Sequence, residues 1–161
     1  MKTDEIQVVP FADNYQADVT ELMDTIEREF AEPISHSNPA TKKMSELANL
    51  PTEKYWVAVA DGKAIGTVGL SMISNRTIVL KRMFMSAAFR GKGIANLLLN
   101  VLLAWAEENK MKAIYLGTMS KFKAAHQFYE RSGFERVERD ELPKDFPVNP
   151  VDSLFYHKSL E

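Results

Sequence analysis

The residues whose types and spacing could do chemistry are gathered in one turn, Arg90-Gly91-Lys92-Gly93-Ile94-Ala95, between an apolar run and a periodic one. Where a strand gives way to a helix, the first amides of the helix have no internal partner and lie at the positive end of its dipole. Glycines there remove side chains and let a phosphate reach the bare backbone. The turn therefore reads as an anion cradle. Two familiar phosphate patterns do not fit it. A P-loop needs GxxxxGK followed by Ser or Thr, which Gly-Lys-Gly-Ile does not supply. A dinucleotide fingerprint needs a third Gly or Ala where Asn96 stands and an acid closing the next strand, which instead reads Tyr115-Leu116-Gly117-Thr118.

What the chain lacks narrows the chemistry further. With no cysteine, disulfides, thiolate metal sites and a cysteine nucleophile are excluded. His36, His126 and His157 have no metal-ligand spacing, so no metal is expected. The net charge of −2 hides an asymmetry: Asp4 to Glu32 holds nine acids against Arg28 alone, whereas Arg76 to Lys92 holds five bases and no acid. A basic segment containing a glycine turn suits a polyanionic ligand, and the acidic segment points to a cationic one. Lys81 and Arg82 offer a different possibility, a seat for the carboxylate of an amino acid. The basic patch is too short, and the overall balance too acidic, for nucleic acid as partner. No signal pattern opens the sequence and no apolar run approaches a membrane span, so a cytoplasmic protein without membrane contact is the expectation.

Around the turn, the elements that must position it are legible from periodicity. Thr77 to Met85 reads as the strand before it. After it, Ile94, Leu97, Leu98, Val101, Leu102 and Trp105 recur at helical spacing, giving one apolar face. Ala113 to Met119 follows as a strand, and the helical crossover makes it parallel to the first. Upstream, Ile6 to Pro10 predicts a strand, Asp13 to Phe30 a helix, Ala31 to Thr41 a proline-bearing loop and Lys42 to Leu50 a short helix. Tyr55 to Ala60 and Ala64 to Ile73 flank Asp61-Gly62-Lys63, a strong hairpin signal. Downstream come a helix over Lys123 to Arg131 with Gly133 at its C′ position, strands at Phe134 to Val137 and Ser153 to Ser159, and a loop over Leu142 to Pro150. The whole predicts one α+β domain over residues 1–161. Its mixed sheet has about six to seven strands, with helices on both faces.

Arg90, Gly93 and Ala95 also satisfy the pattern Arg/Gln-x-x-Gly-x-Gly/Ala. With the DGK hairpin ahead, the apolar strand directly before, and LGTMSKFKAAHQFYERSGF after the next strand, the stretch from Tyr55 to Val137 resembles the GCN5-related N-acetyltransferase (GNAT) family. The resemblance implies acetyl-coenzyme A as cosubstrate, its pyrophosphate held at Arg90, Gly91, Lys92, Gly93, Ile94 and Ala95. It implies that the strand before the turn splays from its neighbour, so that backbone groups of Met83 and Met85 hold the pantetheine arm. The Met85 amide would also polarise the thioester carbonyl, a contribution of about 3 to 4 kcal/mol for a preorganised donor. Tyr129 matches the tyrosine that acts as general acid toward the coenzyme sulfur. A phenol near pKa ~10 facing a thiolate near ~8.5 supports it by a charge-assisted hydrogen bond. Phe122 stands where many members place an asparagine against the coenzyme. A homodimer is implied by the resemblance alone.

An alkylamine with pKa ~10.4 costs about 4.6 kcal/mol to neutralise at pH 7, so a base usually assists. Some relatives carry a glutamate on the central strand, but Thr77-Ile78-Val79-Leu80-Lys81-Arg82 contains no acid. Candidates shift to Glu27, Glu29, Glu32 and His126. The expected activity is acetyl transfer from acetyl-coenzyme A to a primary amine of a small molecule or peptide. The amine attacks directly, since the chain has neither a cysteine nor a GxSxG elbow. The alternative is an acyl-coenzyme A sensor or interaction module without turnover, left open by Phe122 and the missing strand carboxylate.

Overall fold

A computed structural model describes residues 5–30, 53–148, 150 and 152–161. Its strands are β1 (Gln7–Pro10), β2 (Glu53–Ala60), β3 (Lys63–Ile73), β4 (Thr77–Met85), β5 (Ala113–Thr118), β6 (Glu135–Val137) and β7 (Leu154–Ser159). Its helices are α1 (Gln16–Phe30), α2 (Ile94–Glu108) and α3 (Lys123–Arg131). The seven strands form one sheet in the order β1-β2-β3-β4-β5-β7-β6. Only β4 and β5 run parallel, as the helical crossover between them requires; every other pair is antiparallel. This is the expected mixed α+β sheet with seven strands. The loop expected over Ala31 to Thr41 and the helix over Lys42 to Leu50 lie outside the described residues.

Alternation along β2 assigns the layers. Trp56, Ala58 and Ala60 join the large core that includes Ile94, Leu98 and Leu102 of α2 and Tyr129 of α3. Tyr55 and Val57 pack instead with Val19 of α1. Successive strand side chains point to opposite faces, so α2 and α3 cover one face and α1 the other. The β2–β3 hairpin turns on Asp61 (φ 51°) and Gly62 (φ 78°), both left-handed as a two-residue primed turn demands.

On α2 the buried stripe runs Ile94, Leu98, Leu102 and Ala106, with Leu99 beside it, while Leu97 is 37% exposed. Leu97 therefore leaves the apolar face expected from the sequence. At about 100° per residue, a stripe stepping every four residues drifts steadily away from it.

Candidate active site

The cleft is opened by the sheet itself. Pairing between β4 and β5 covers Thr77↔Ala113, Ile78↔Ile114 and Val79↔Tyr115 and then stops. Beyond that point β4 stays with β3 as far as Met85, and β5 stays with β7 as far as Thr118. The two strands diverge into a wedge, and a cleft of about 780 Å³ fills it, lined by Leu80 to Met85 on one side and Gly117 to Met119 on the other.

A bulge aims the β4 side. Gly69 faces Lys81 but Thr67 faces Phe84, so β4 carries one extra residue opposite Val68. Within it Arg82 takes φ 56°, a left-handed conformation costing about 1 to 2 kcal/mol for a residue with a side chain. Its neighbours hold it there: buried Thr67 donates Oγ1–H to the Arg82 carbonyl at 2.6 Å, and Arg82 Nε donates to the Tyr55 hydroxyl at 3.2 Å. Past the bulge, the Ser86 amide donates to Ile65 O at 2.8 Å on the β3 side. Strand alternation therefore turns the main-chain groups of Met85, and of Met83 two residues back, toward the open wedge. Their side chains pack against the large core.

At the mouth of the wedge, Gly91 (φ 77°) and Gly93 (φ 79°) are left-handed, and a Cβ built on either would meet nothing within 4 Å. Conformation, not crowding, demands glycine here, and the space beside the backbone is open. Gly93 caps α2 without a side-chain hydrogen bond, leaving the first amides of the helix, at Ile94, Ala95 and Asn96, facing that space. The Ile94 side chain is buried in the core, and Ala95 lines the cleft. Lys92 Nζ lies 5.8 Å over the Phe89 ring. Arg90 lines the cleft and is also tied to the neighbouring helix. Its guanidinium forms a fork on Glu29 of α1, 2.6 and 2.9 Å, and its Nε donates to Met85 O at 3.2 Å.

On α3, Tyr129 is 4% exposed and lines the cleft. Its ring meets Phe134 edge-on at 5.6 Å and Tyr156 at 5.9 Å. Among the described residues its hydroxyl has no hydrogen-bond partner, a cost of about 1 to 3 kcal/mol for a buried polar group. Burial, and secondarily the charge of Asp152, push its pKa well above the ordinary phenol value. Phe122 caps α3 on the opposite side, packing with Phe84 against Leu22 and Ile26 of α1. His126 is held by the Met119 carbonyl, 2.9 Å from Nε2. Glu29 is committed to Arg90, and Glu32 lies outside the described residues.

Sequence reasoning missed Asp152. Its carboxylate lies on β5, with Oδ2 2.7 Å from where a Cβ on Gly117 would sit. Burial raises its pKa to about 6. Gly117 was the one available signal, a residue without a side chain in an otherwise apolar strand. Nothing in Val148 to Ser153 marked the acid that fills the space. Among the described residues lining the cleft, Asp152 is the one acid beside the bases Lys81, Arg82, Arg90, Lys121, Lys123 and Arg131.

The sequence and the fold both have relatives among known proteins. Residues 19–134 match the acetyltransferase (GNAT) family. The chain belongs to the GNAT acetyltransferase family. A GNAT acetyltransferase from Staphylococcus aureus Mu50 superposes with a TM-score of 0.90 at 29% identity, covering 97% of this chain and 99% of that one. The PaiA N-acetyltransferase of Thermoplasma acidophilum, solved with coenzyme A, shares the fold, with a TM-score of 0.77 at 16% identity over 96% of this chain and 98% of that one. The N-acetylaspartate synthetase of Danio rerio is 39% identical over 106 residues, 63% of this chain and 37% of that one. The chain spans about a third of the length of the N-acetylaspartate synthetases it matches. Among the described residues no helix is long and apolar enough to cross a membrane.

Proposed function

We propose that this acetyltransferase moves an acetyl group from acetyl-coenzyme A to the primary amine of a small amino acid that carries an extra carboxylate. The observation that carries the reading is the wedge between β4 and β5, which joins the open glycine turn to a lined interior through main-chain groups left without a strand partner. The residues fit the coenzyme: open space beside Gly91 and Gly93 for its pyrophosphate, and an orphaned buried hydroxyl on Tyr129 for its sulfur. Phe122 offers the pantetheine arm an apolar contact in place of a polar one.

In this reading the amides of Gly91 to Ala95, with the Lys92 ammonium, hold the phosphates, while Arg90 ties the turn to α1. The main chain of Met83 and Met85 takes the pantetheine arm as a strand would. The Met85 amide donates to the thioester oxygen as it becomes an oxyanion. The amine nitrogen bonds the carbonyl carbon, and the C–S bond then breaks with its electron pair on sulfur. Tyr129, with its pKa raised, keeps its proton and supports the thiolate through an O–H donor. Direct transfer is favoured because the chain has neither a cysteine nor a GxSxG elbow to carry the acetyl group.

Charge supports the acceptor class. Three of the five acids of α1 are engaged elsewhere: Asp18 accepts from the Ala64 amide, Glu21 meets Lys63, and Glu29 holds Arg90. The cleft wall is instead mainly basic, suiting an anionic acceptor, and the Danio rerio relative is named for acetylating aspartate. The same reading makes residues 1–161 one catalytic domain, cytoplasmic and homodimeric, with neither nucleic acid nor membrane as partner. The test is a thermal shift with acetyl-coenzyme A combined with thiol release over aspartate, glutamate, neutral amino acids, polyamines and aminoglycosides. Binding with release for the acidic amino acids is expected. Binding without release for every amine would leave a coenzyme sensor, and no binding would end both readings.

A further inference from the structure

Asp152 has no evident structural task. Among the described residues its carboxylate has neither a hydrogen-bond donor nor an ion-pair partner, although it is half-buried against an apolar strand. A carboxylate in that state is costly and calls for an explanation. Its place in the fold supplies one. Ile114 and Leu116 of β5 point into the core shared with α2 and Tyr129, while Tyr115 packs with Val79, Phe146 and Phe155 on the opposite face. Gly117 shares the face of Tyr115 by alternation, so Asp152, lying on Gly117, reaches the wedge from the face opposite Tyr129. The two are close enough for the charge of Asp152 to be felt at the phenol. Arg82, bulged onto Tyr55, stands on the same face as Asp152, because Tyr55 packs with α1.

Resting on the acetyl-transfer reading, we infer that Asp152 receives the acceptor's ammonium group, removes one proton from it, and so delivers a neutral amine to the wedge from the side opposite Tyr129. An amino acid then lies between unlike charges, its ammonium on Asp152 and a carboxylate toward Arg82 and Lys81. The proton balance closes. One N–H proton passes to the Asp152 carboxylate and later to bulk water. The nitrogen attacks the carbonyl carbon, and a second N–H proton, made acidic by acylation, ends on the sulfur as the coenzyme thiol leaves beside Tyr129.

The titratable and charged groups that line the cleft with this carboxylate are Tyr55 on β2, Lys81 and Arg82 on β4, Arg90 in the glycine turn, and Lys121, Lys123, Tyr129 and Arg131 on or just before α3. Burial sets the pKa of about 6, not one of these cations. The wild-type kcat/KM for the amine should therefore fall on the acid side with a limb near pH 6.

The experiment compares wild type, Asp152→Asn and Asp152→Glu by amine-dependent thiol release across pH 5 to 9, alongside the thermal shift each gives with acetyl-coenzyme A. Asp152→Asn is expected to lower amine kcat/KM by roughly 100-fold or more, as for loss of a general base, and to abolish the limb near pH 6 while keeping the coenzyme shift. Asp152→Glu should restore part of the rate and keep the limb. Wild-type kinetics and an unchanged acid limb in Asp152→Asn would overturn the inference while leaving acetyl transfer intact. A wild type that binds coenzyme but releases no thiol with any amine would overturn both. If Asp152→Asn loses the coenzyme shift as well, the residue is structural and the inference fails.

Discussion

At the scale of single residues, buried Tyr129 and half-buried Asp152 each make opposite predictions for activity and stability. Among the described residues the Tyr129 hydroxyl has no partner, and its ring sits in an aromatic seam. Tyr129→Phe removes that orphan, so the coenzyme-free protein should gain about 1 kcal/mol in denaturant unfolding, yet turnover should fall far more than coenzyme affinity. Equal kinetics would return Tyr129 to the core. Asp152 behaves similarly. Its pKa rises on folding from 3.8 to about 6, so the folded state holds the proton more tightly than the unfolded one. The stability it contributes is fully present below about pH 4 and is lost as pH climbs through 6. Asp152→Asn should thus be more stable than wild type at pH 8 by about 2 kcal/mol and should flatten the loss of stability between pH 4 and 6. Urea midpoints at the three pH values check both. In the proposed mechanism these groups cost stability at the reacting centre, which is where local rules are expected to fail.

Among the elements, the start of α2 carries the sharpest test. A Cβ at residue 93 meets no atom within 4 Å, so Gly93→Asp adds conformational strain and a negative charge without crowding at the Cβ. Coenzyme affinity should fall at least 100-fold in calorimetry while the helical circular dichroism stays. Gly93→Asn, with the same left-handed strain and no charge, should lose much less. Equal loss in both would make conformation, not an anion, the reason for glycine. The Arg90–Glu29 fork belongs to this scale too: it joins residues 61 positions apart and fixes α1 beside the turn. The pair is about one-third exposed, so it adds under about 1 kcal/mol and acts mainly in placement.

For the molecule as a whole, coenzyme bound in the wedge as proposed would link binding to folding. Acetyl-coenzyme A at 100 times its Kd should stabilise the protein by about 2.7 kcal/mol, raising Tm by roughly 5 to 10 °C for a chain of this size. A shift absent at saturating coenzyme would remove the wedge from the argument. The sequence by itself determined what depends on neighbours along the chain. The hairpin at Asp61-Gly62, the strand from Thr77 to Met85, the helix from Lys123 to Arg131, the glycine turn and the parallel crossover follow from period, turn chemistry and connection length. Tertiary structure alone decided the rest. Where β4 parts from β5, the left-handed twist of Arg82, the capture of Glu29 by Arg90, and the approach of Asp152 to Gly117 each depend on segments distant in sequence. Local propensity does not encode such meetings, because the energies that fix them exist only once both sides are packed.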